Sequence, residues 1–493
     1  MMKASKESIE NLVKNASLAV GDMYPIIKQD ICVIAECDHN ISPLLKLVPE
    51  LRMNVRFILV DLESSFRALI NAESAIEKRF HLVNIRADIH ESYKLLYGNG
   101  KSRQSTVWSK IGIELQIIQK SGSNESEEQL RMEYDAITPF LIQLKTSEQD
   151  KDNRNLTYHY DDNLLEVYQN ILEATDEEEM CRRLIPFFDS LLAVLVFCDH
   201  IELIEKSKGY VLPMVEVHND FRLSIQKLFA KALGTNLRLQ LVTKRFLENV
   251  SQIDAMARTT KKLICIQEFA KTNCSLIDFP EAENMVKMSQ THLLIQLMLV
   301  NIASDLNAYF NSGSEPEYAF ILRRLIITRF AVLSHLFGYC GVERENSLWS
   351  SICKMIPNDY AAYISESKRI QFELEQLIEP ADKKVRNLYT HLMNRKKNNV
   401  PAIITKMEES NPIIELKKTE ALIRATTQVS RFLKALMDKL AKDTHARAQA
   451  STEKVMTQLA RIRDMANDPT YPEHIRISLN EQVNGFEKLI EKL

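Results

Sequence analysis

Residues 59–72 read LVDLESSFRALINA, and residues 299–312 read LVNIASDLNAYFNS. The stretches lie 240 positions apart, and the same offset pairs Glu77 with Glu317, Phe80 with Phe320 and Gly98 with Gly338. Further on, VWSKI (107–111) faces LWSSI (348–352) at an offset of 241, which matches Trp108 with Trp349, the chain's two tryptophans. A nearly constant offset held in order along the chain points to a diverged internal duplication, so each copy must fold into a similar unit.

The units read as helical. Glycine (11) and proline (14) are scarce in 493 residues, while Leu, Ile, Glu, Lys and Arg are plentiful. Long apolar periodicities predict helices near 45–80 and 82–97 in the first copy, and near 288–310 and 317–338 in the second. KSGSNESEE (120–128) and NSGSEPE (311–317) punctuate them as loops. Thr175 and Glu178 have capping-box spacing, and Leu184, Phe187, Phe188, Leu191, Leu192 and Leu195 then form one broad apolar face. Val429, Phe432, Leu433, Leu436 and Leu440 do the same in the second copy. The expected fold class is all-α, with two diverged tandem helical bundles and additional connecting and C-terminal helices. The expected boundaries are an N-terminal cap over 1–44, bundles over 45–205 and 288–440, connecting helices over 206–287 and C-terminal helices over 441–493.

A net charge of −3 gives no global attraction to polyanions, so nucleic-acid binding has to rest on a local patch. The eight cysteines show no zinc-knuckle spacing and read as buried thiols of a reducing compartment. His39 in CDHN and His200 in CDH lack a converging ligand set, so no metal is expected. The first residues lack a signal-peptide core, and the apolar runs 191–197 and 293–300 are too short to span a bilayer, so a cytoplasmic protein without membrane contact is expected. No phosphate-binding G-x-x-x-x-G-K-[ST] loop and no G-x-S-x-G elbow is present.

One polar motif also occurs twice. RNLTYH runs from Arg154 to His159, and RNLYTH from Arg386 to His391. Arg, Asn, Leu and His recur at identical spacing, 232 positions apart. Arg154, Asn155 and His159, with Arg386, Asn387 and His391, are the candidate catalytic residues. A histidine titrates near neutrality and can serve as general base or acid. An arginine offers a fixed fork of donors to developing phosphorane charge, and an asparagine can orient the imidazole. If the segment is helical, Asn387 and His391 share a face four residues apart.

The twin motif resembles the signature of the HEPN superfamily, small all-helical domains that include metal-independent RNA endonucleases of toxin, RNA-processing and antiviral systems. The resemblance implies a ribonuclease without cofactor, with two motifs facing one cleft and cyclic-phosphate and 5′-OH products. It also implies an RNA substrate, together with a protein partner or a second copy of the chain. Between 380 and 400, Lys383, Lys384, Arg386, Arg395, Lys396 and Lys397 oppose Asp382 alone, a net charge of +5. Between 148 and 168, Lys151 and Arg154 face six carboxylates, a net charge of −4. Lys383, Lys384, Arg395, Lys396 and Lys397 are therefore the candidate nucleic-acid contacts. The competing expectation is a non-catalytic helical scaffold that retains a duplicated bundle.

Overall fold

The computed structural model describes residues 23–37, 41–98, 104–143, 177–215, 233–248, 250–273, 280–338, 344–379, 382–394 and 397–490. The fold is all-α. In chain order the helices are α1 (Met23–Glu36), α2 (Pro43–Asn71), α3 (Ala75–Leu96), α4 (Val107–Gly122), α5 (Glu125–Gln143) and α6 (Glu177–Ser207). There follow α7 (Leu233–Glu248), α8 (Val250–Asn273), α9 (Pro280–Asn311), α10 (Glu315–Leu333), α11 (Leu348–Lys354) and α12 (Ala361–Glu375). The last are α13 (Asp382–Thr390), α14 (Val400–Glu409), α15 (Pro412–Asn467) and α16 (Glu473–Ile490). Between α13 and α14, β1 (Met393–Asn394) and β2 (Lys397–Asn398) pair antiparallel, the only strands among the described residues.

The first long break falls at 72–74, not at the expected 81. Ser74 is the reason. Its Oγ accepts from Glu77 N (3.3 Å), and Glu77 Oε2 accepts from the amides of Ser74 (3.5 Å) and Glu73 (3.0 Å), a complete capping box. The second break repeats it. Ser314 Oγ accepts from Glu317 N (3.4 Å), and Glu317 Oε2 accepts from Gly313 N (2.7 Å). These caps make two helical hairpins, α2–α3 and α9–α10, and the hairpins pack against each other. Gly98 and Gly338 end the hairpins in the left-handed region (φ 80° and 82°), where a side chain would be strained.

Contacts across the two hairpins are reciprocal at the sequence offset of 240. Asn307 donates to Glu77 Oε1 at 2.5 Å, while Arg67 reaches Glu317 Oε2 at 3.5 Å, so each hairpin's capping carboxylate is gripped by the other hairpin. Ser65 donates to Asp88 (2.7 Å), and Thr328 donates to Asp305 (2.6 Å), the same two positions with hydroxyl and carboxylate exchanged. Phe57 meets Phe320 at 5.0 Å between ring centroids.

Further helices pack on each hairpin. Helix α2 packs on α4 and α6, and α9 packs on α15, against which α12 also lies. Trp108, capped by Thr106, stacks on Tyr134 (4.6 Å) and touches Phe197 (5.6 Å). Trp349, capped by Ser347, packs on Phe432 (5.8 Å), which also meets Tyr363 at 5.8 Å. The buried apolar side chains form one continuous core running through both hairpins. Helix α9 crosses the expected boundary at 288, and the 56-residue α15 crosses the one at 441. Among the described residues α16 packs chiefly against α15.

Three expectations need correction. Leu192 is exposed and Leu195 only half-buried, although Leu184, Phe187, Phe188 and Leu191 are buried as the periodicity requires. Among the cysteines of described exposure only Cys198 is buried; Cys32, Cys37 and Cys353 are half-buried and Cys265 is exposed. Residues 283–311 in α9 are long and apolar enough to cross a membrane, but 83% of their most apolar window is buried inside the protein. Thr175 lies outside the described residues.

Candidate functional site

The site is built where the second motif meets a polar core between the hairpins. That core is legible as charges inside apolar runs: Asp61 in FILVDLESSF on α2, and Arg323 and Arg324 in ILRRLII on α10. All three are buried. Arg323 Nη1 donates to Asp61 Oδ2 at 2.7 Å, and its Nη2 and Nε donate to the Tyr389 carbonyl at 2.9 and 3.3 Å. Its guanidinium also lies over the Phe57 ring, 5.4 Å from the centroid. Arg324 donates to Ser65 Oγ and reaches Asp88 Oδ2 at 3.5 Å.

Three carboxylates, Asp61, Asp88 and Asp305, thus share the neighbourhood of two guanidiniums. Burial, then repulsion from Asp61, pushes Asp88 up to about 7 against the pull of Arg324. Burial pushes Asp305 up to about 6, with Arg324 and the Thr328 hydroxyl opposing it. His81 is fully buried, and desolvation, assisted by Arg324, lowers it to about 3, so it is neutral near pH 7. At the hairpin breaks, burial raises Glu317 to about 7 against the Gly313 amide and Arg67.

Tyr389 ties this core to the motif. It is fully buried on α13, and its hydroxyl lies 3.1 Å from Ser410 Oγ. Arg386, Asn387 and His391 are half-buried on the same stretch. Arg386 Nη1 donates to Asn387 Oδ1 at 3.2 Å, and the Thr390 hydroxyl donates to the Arg386 carbonyl at 2.7 Å. The helix stops at Thr390, so His391 is not on a helical face shared with Asn387. Carbonyl acceptors near this end are taken from outside the helix. Tyr389 O is taken by Arg323, His391 O by the Asn399 side chain (2.8 Å), and Leu392 O by Asn399 N (2.9 Å). Asn398 fastens the following ladder to α2, donating to Glu50 (3.0 Å) and Asn54 (2.8 Å).

The first motif copy, Arg154, Asn155 and His159, lies outside the described residues, as do Arg395 and Lys396. Lys384 is exposed on α13; Lys383 and Lys397 belong to α13 and β2. A recess of about 590 Å³ opens between α12 and α15, and one of about 240 Å³ between α10, residues 376–379 and α15. Tyr363, Arg369, Arg431 and Phe432 line the larger, and Lys417, Lys418 and Glu379 the smaller, so neither is lined by the motif. No cluster of three or more His, Cys, Asp or Glu suited to a metal ion occurs among the described residues.

The fold and site together define an all-α protein in which the stretch carrying Arg386, Asn387 and His391 is tied at the Tyr389 carbonyl to a buried ionic core. No family model, curated protein or solved structure matches the chain.

Proposed function

We propose that the chain is a metal-independent RNA endonuclease of HEPN type, built on a duplicated helical hairpin. The observation that carries this reading is the recurrence of Arg, Asn and His at identical spacing, with Arg386 and Asn387 hydrogen-bonded on α13 and the backbone around His391 pinned. In the proposed reaction the substrate's own 2′-OH attacks the adjacent phosphorus. His391 takes the proton from the 2′-OH and delivers it to the departing 5′ oxygen, and Arg386 stabilises charge on the phosphorane oxygens. The bond to the 5′ oxygen breaks, leaving a 2′,3′-cyclic phosphate and a 5′-OH. Lys384 and its basic neighbours in the sequence draw in the polyanion. A cytoplasmic setting and a role in a toxin or antiviral system fit this chemistry. The reciprocal contacts at offset 240 support the duplication within it.

The test is incubation of the full chain with total RNA in chelator, followed by end-group analysis. The proposal expects 2′,3′-cyclic phosphate and 5′-OH ends. Cleavage that vanishes in chelator and returns with Mg²⁺ contradicts it.

A second reading, a non-catalytic scaffold, is favoured by one observation: the recess lined by Tyr363, Arg369, Arg431 and Phe432 lies between α12 and α15 rather than at the motif. An RNA-binding chain without turnover would select it.

A further inference from the structure

Resting on the nuclease reading, we infer that Arg323, held by Asp61, is the positioning residue for the second motif copy, and that the pair does not recur at the register-matched positions. The asymmetry is in the register. At offset 240 the position matching Arg323 is Val83, and the position matching Asp61 is Asn301. Both are buried at the hairpin interface, so neither place is left open to solvent. A valine has no donor for a backbone carbonyl and an asparagine no charge to hold a guanidinium. Much else at the interface is reciprocal: capping carboxylates, hydroxyl–carboxylate pairs and terminal glycines. The Arg–Asp pair does not recur at the register-matched positions.

Its consequence is local to His391. Arg323 fixes the Tyr389 carbonyl two residues before it, and Asn399 fixes the His391 and Leu392 carbonyls. With the backbone held on both sides, the imidazole's position is set by the frame rather than by substrate. The positive guanidinium at the C-terminal end of α13 also favours the helix dipole there. Arg323 is 6% exposed, so it acts through the backbone and does not itself meet solvent-borne substrate. A lysine at 323 would keep the charge but could not bridge Asp61 and Tyr389 O with the same rigid fork.

The experiment compares Arg323→Lys with Val83→Ala, a buried change at the register-matched position, in the full chain. Three quantities are read: RNA cleavage, the urea midpoint, and the His391 ring signals in a ¹³C-histidine-labelled sample, assigned with His391→Ala. The inference expects Arg323→Lys to shift the His391 signals and lower kcat by about tenfold or more with KM little changed. It expects Val83→Ala to lower the urea midpoint while leaving the His391 signals and kcat near wild type. Unmoved His391 signals in Arg323→Lys overturn the inference, as do equal losses of kcat in the two variants at matched loss of stability. Each of those results leaves the nuclease reading standing. A wild-type chain that cuts no RNA overturns that reading and this inference with it.

Discussion

Removing the guanidinium of Arg323 should be among the most damaging single changes in the core, and the damage should depend on Asp61. In Arg323→Met the Asp61 carboxylate stays buried without its 2.7 Å partner, and the Tyr389 carbonyl loses both donors. Stranding one member of a buried ion pair costs roughly 3–5 kcal/mol. Arg324 serves Ser65 and Asp88 through Nη2, and its buried Nη1 makes no hydrogen bond to Asp61. Asp61→Ala should cost less, about 2–3 kcal/mol, because the guanidinium keeps the Tyr389 carbonyl and the Phe57 ring. In the double variant no charge of this pair is stranded, and the main residue of the damage is an unpaired carbonyl, worth about 1–3 kcal/mol. The double variant should therefore fall short of the summed singles by about 2 kcal/mol or more. Urea unfolding followed by far-ultraviolet circular dichroism and by tryptophan fluorescence measures all four chains. Additivity within about 0.5 kcal/mol would show that the two residues do not act as a pair and refute the reasoning.

The two tryptophans should respond unequally to replacement by phenylalanine. Trp108 loses a 3.1 Å hydrogen bond to Thr138 and a stack on Tyr134, whereas Trp349 Nε1 has no acceptor among the described residues; Trp108→Phe should cost about 1 kcal/mol more, and equal urea midpoints contradict this. Stability should fall as pH rises through about 7, because native Glu317 holds its proton more tightly than the unfolded chain does, and its contribution is complete only below the ordinary glutamate range. Glu317→Gln, which keeps an oxygen for the Gly313 amide, should flatten that fall in urea midpoints taken from about pH 5 to 8; an unchanged slope contradicts it. Asp61→Ala should bring Asp88 down from about 7, since Asp61 repulsion is the second cause of its rise, and a carboxyl ¹³C titration that leaves Asp88 in place contradicts the shared core.

Much of the fold was legible because its determinants are local. Ser314 with Glu317 sits in a loop that composition alone marks, and the helix after it starts at Glu315. The matching Ser74–Glu77 box was readable too, but the apolar run carries on past it, and periodicity alone placed the break some eight residues late. Most of the α15 face is as periodicity requires: Val429, Phe432, Leu433 and Leu436 are buried, and Leu440 is half-buried. Leu192 departs because apolar residues on α6 exceed what one packed face can cover.

The site was less legible. Periodicity cannot show that α13 ends at Thr390, because the groups that take the Tyr389 carbonyl and the carbonyls just beyond the helix, Arg323 and Asn399, come from elsewhere in the chain. A repeat-based reading passes over Asp61 and Arg323, since their counterparts are Asn301 and Val83. Their signal was charge embedded in apolar helical runs, a pattern that implies a buried partner from another element.

The measurement that bears most directly on the account is cleavage of one short RNA and of the same RNA with a single 2′-deoxy nucleotide at the cut site, by wild type and by His391→Ala, all in chelator. The account predicts that wild type cuts only the all-ribo strand and that His391→Ala cuts it at least about 10²-fold more slowly, the scale of a lost general acid or base. Equal cutting of both strands, or undiminished turnover by His391→Ala, would contradict it.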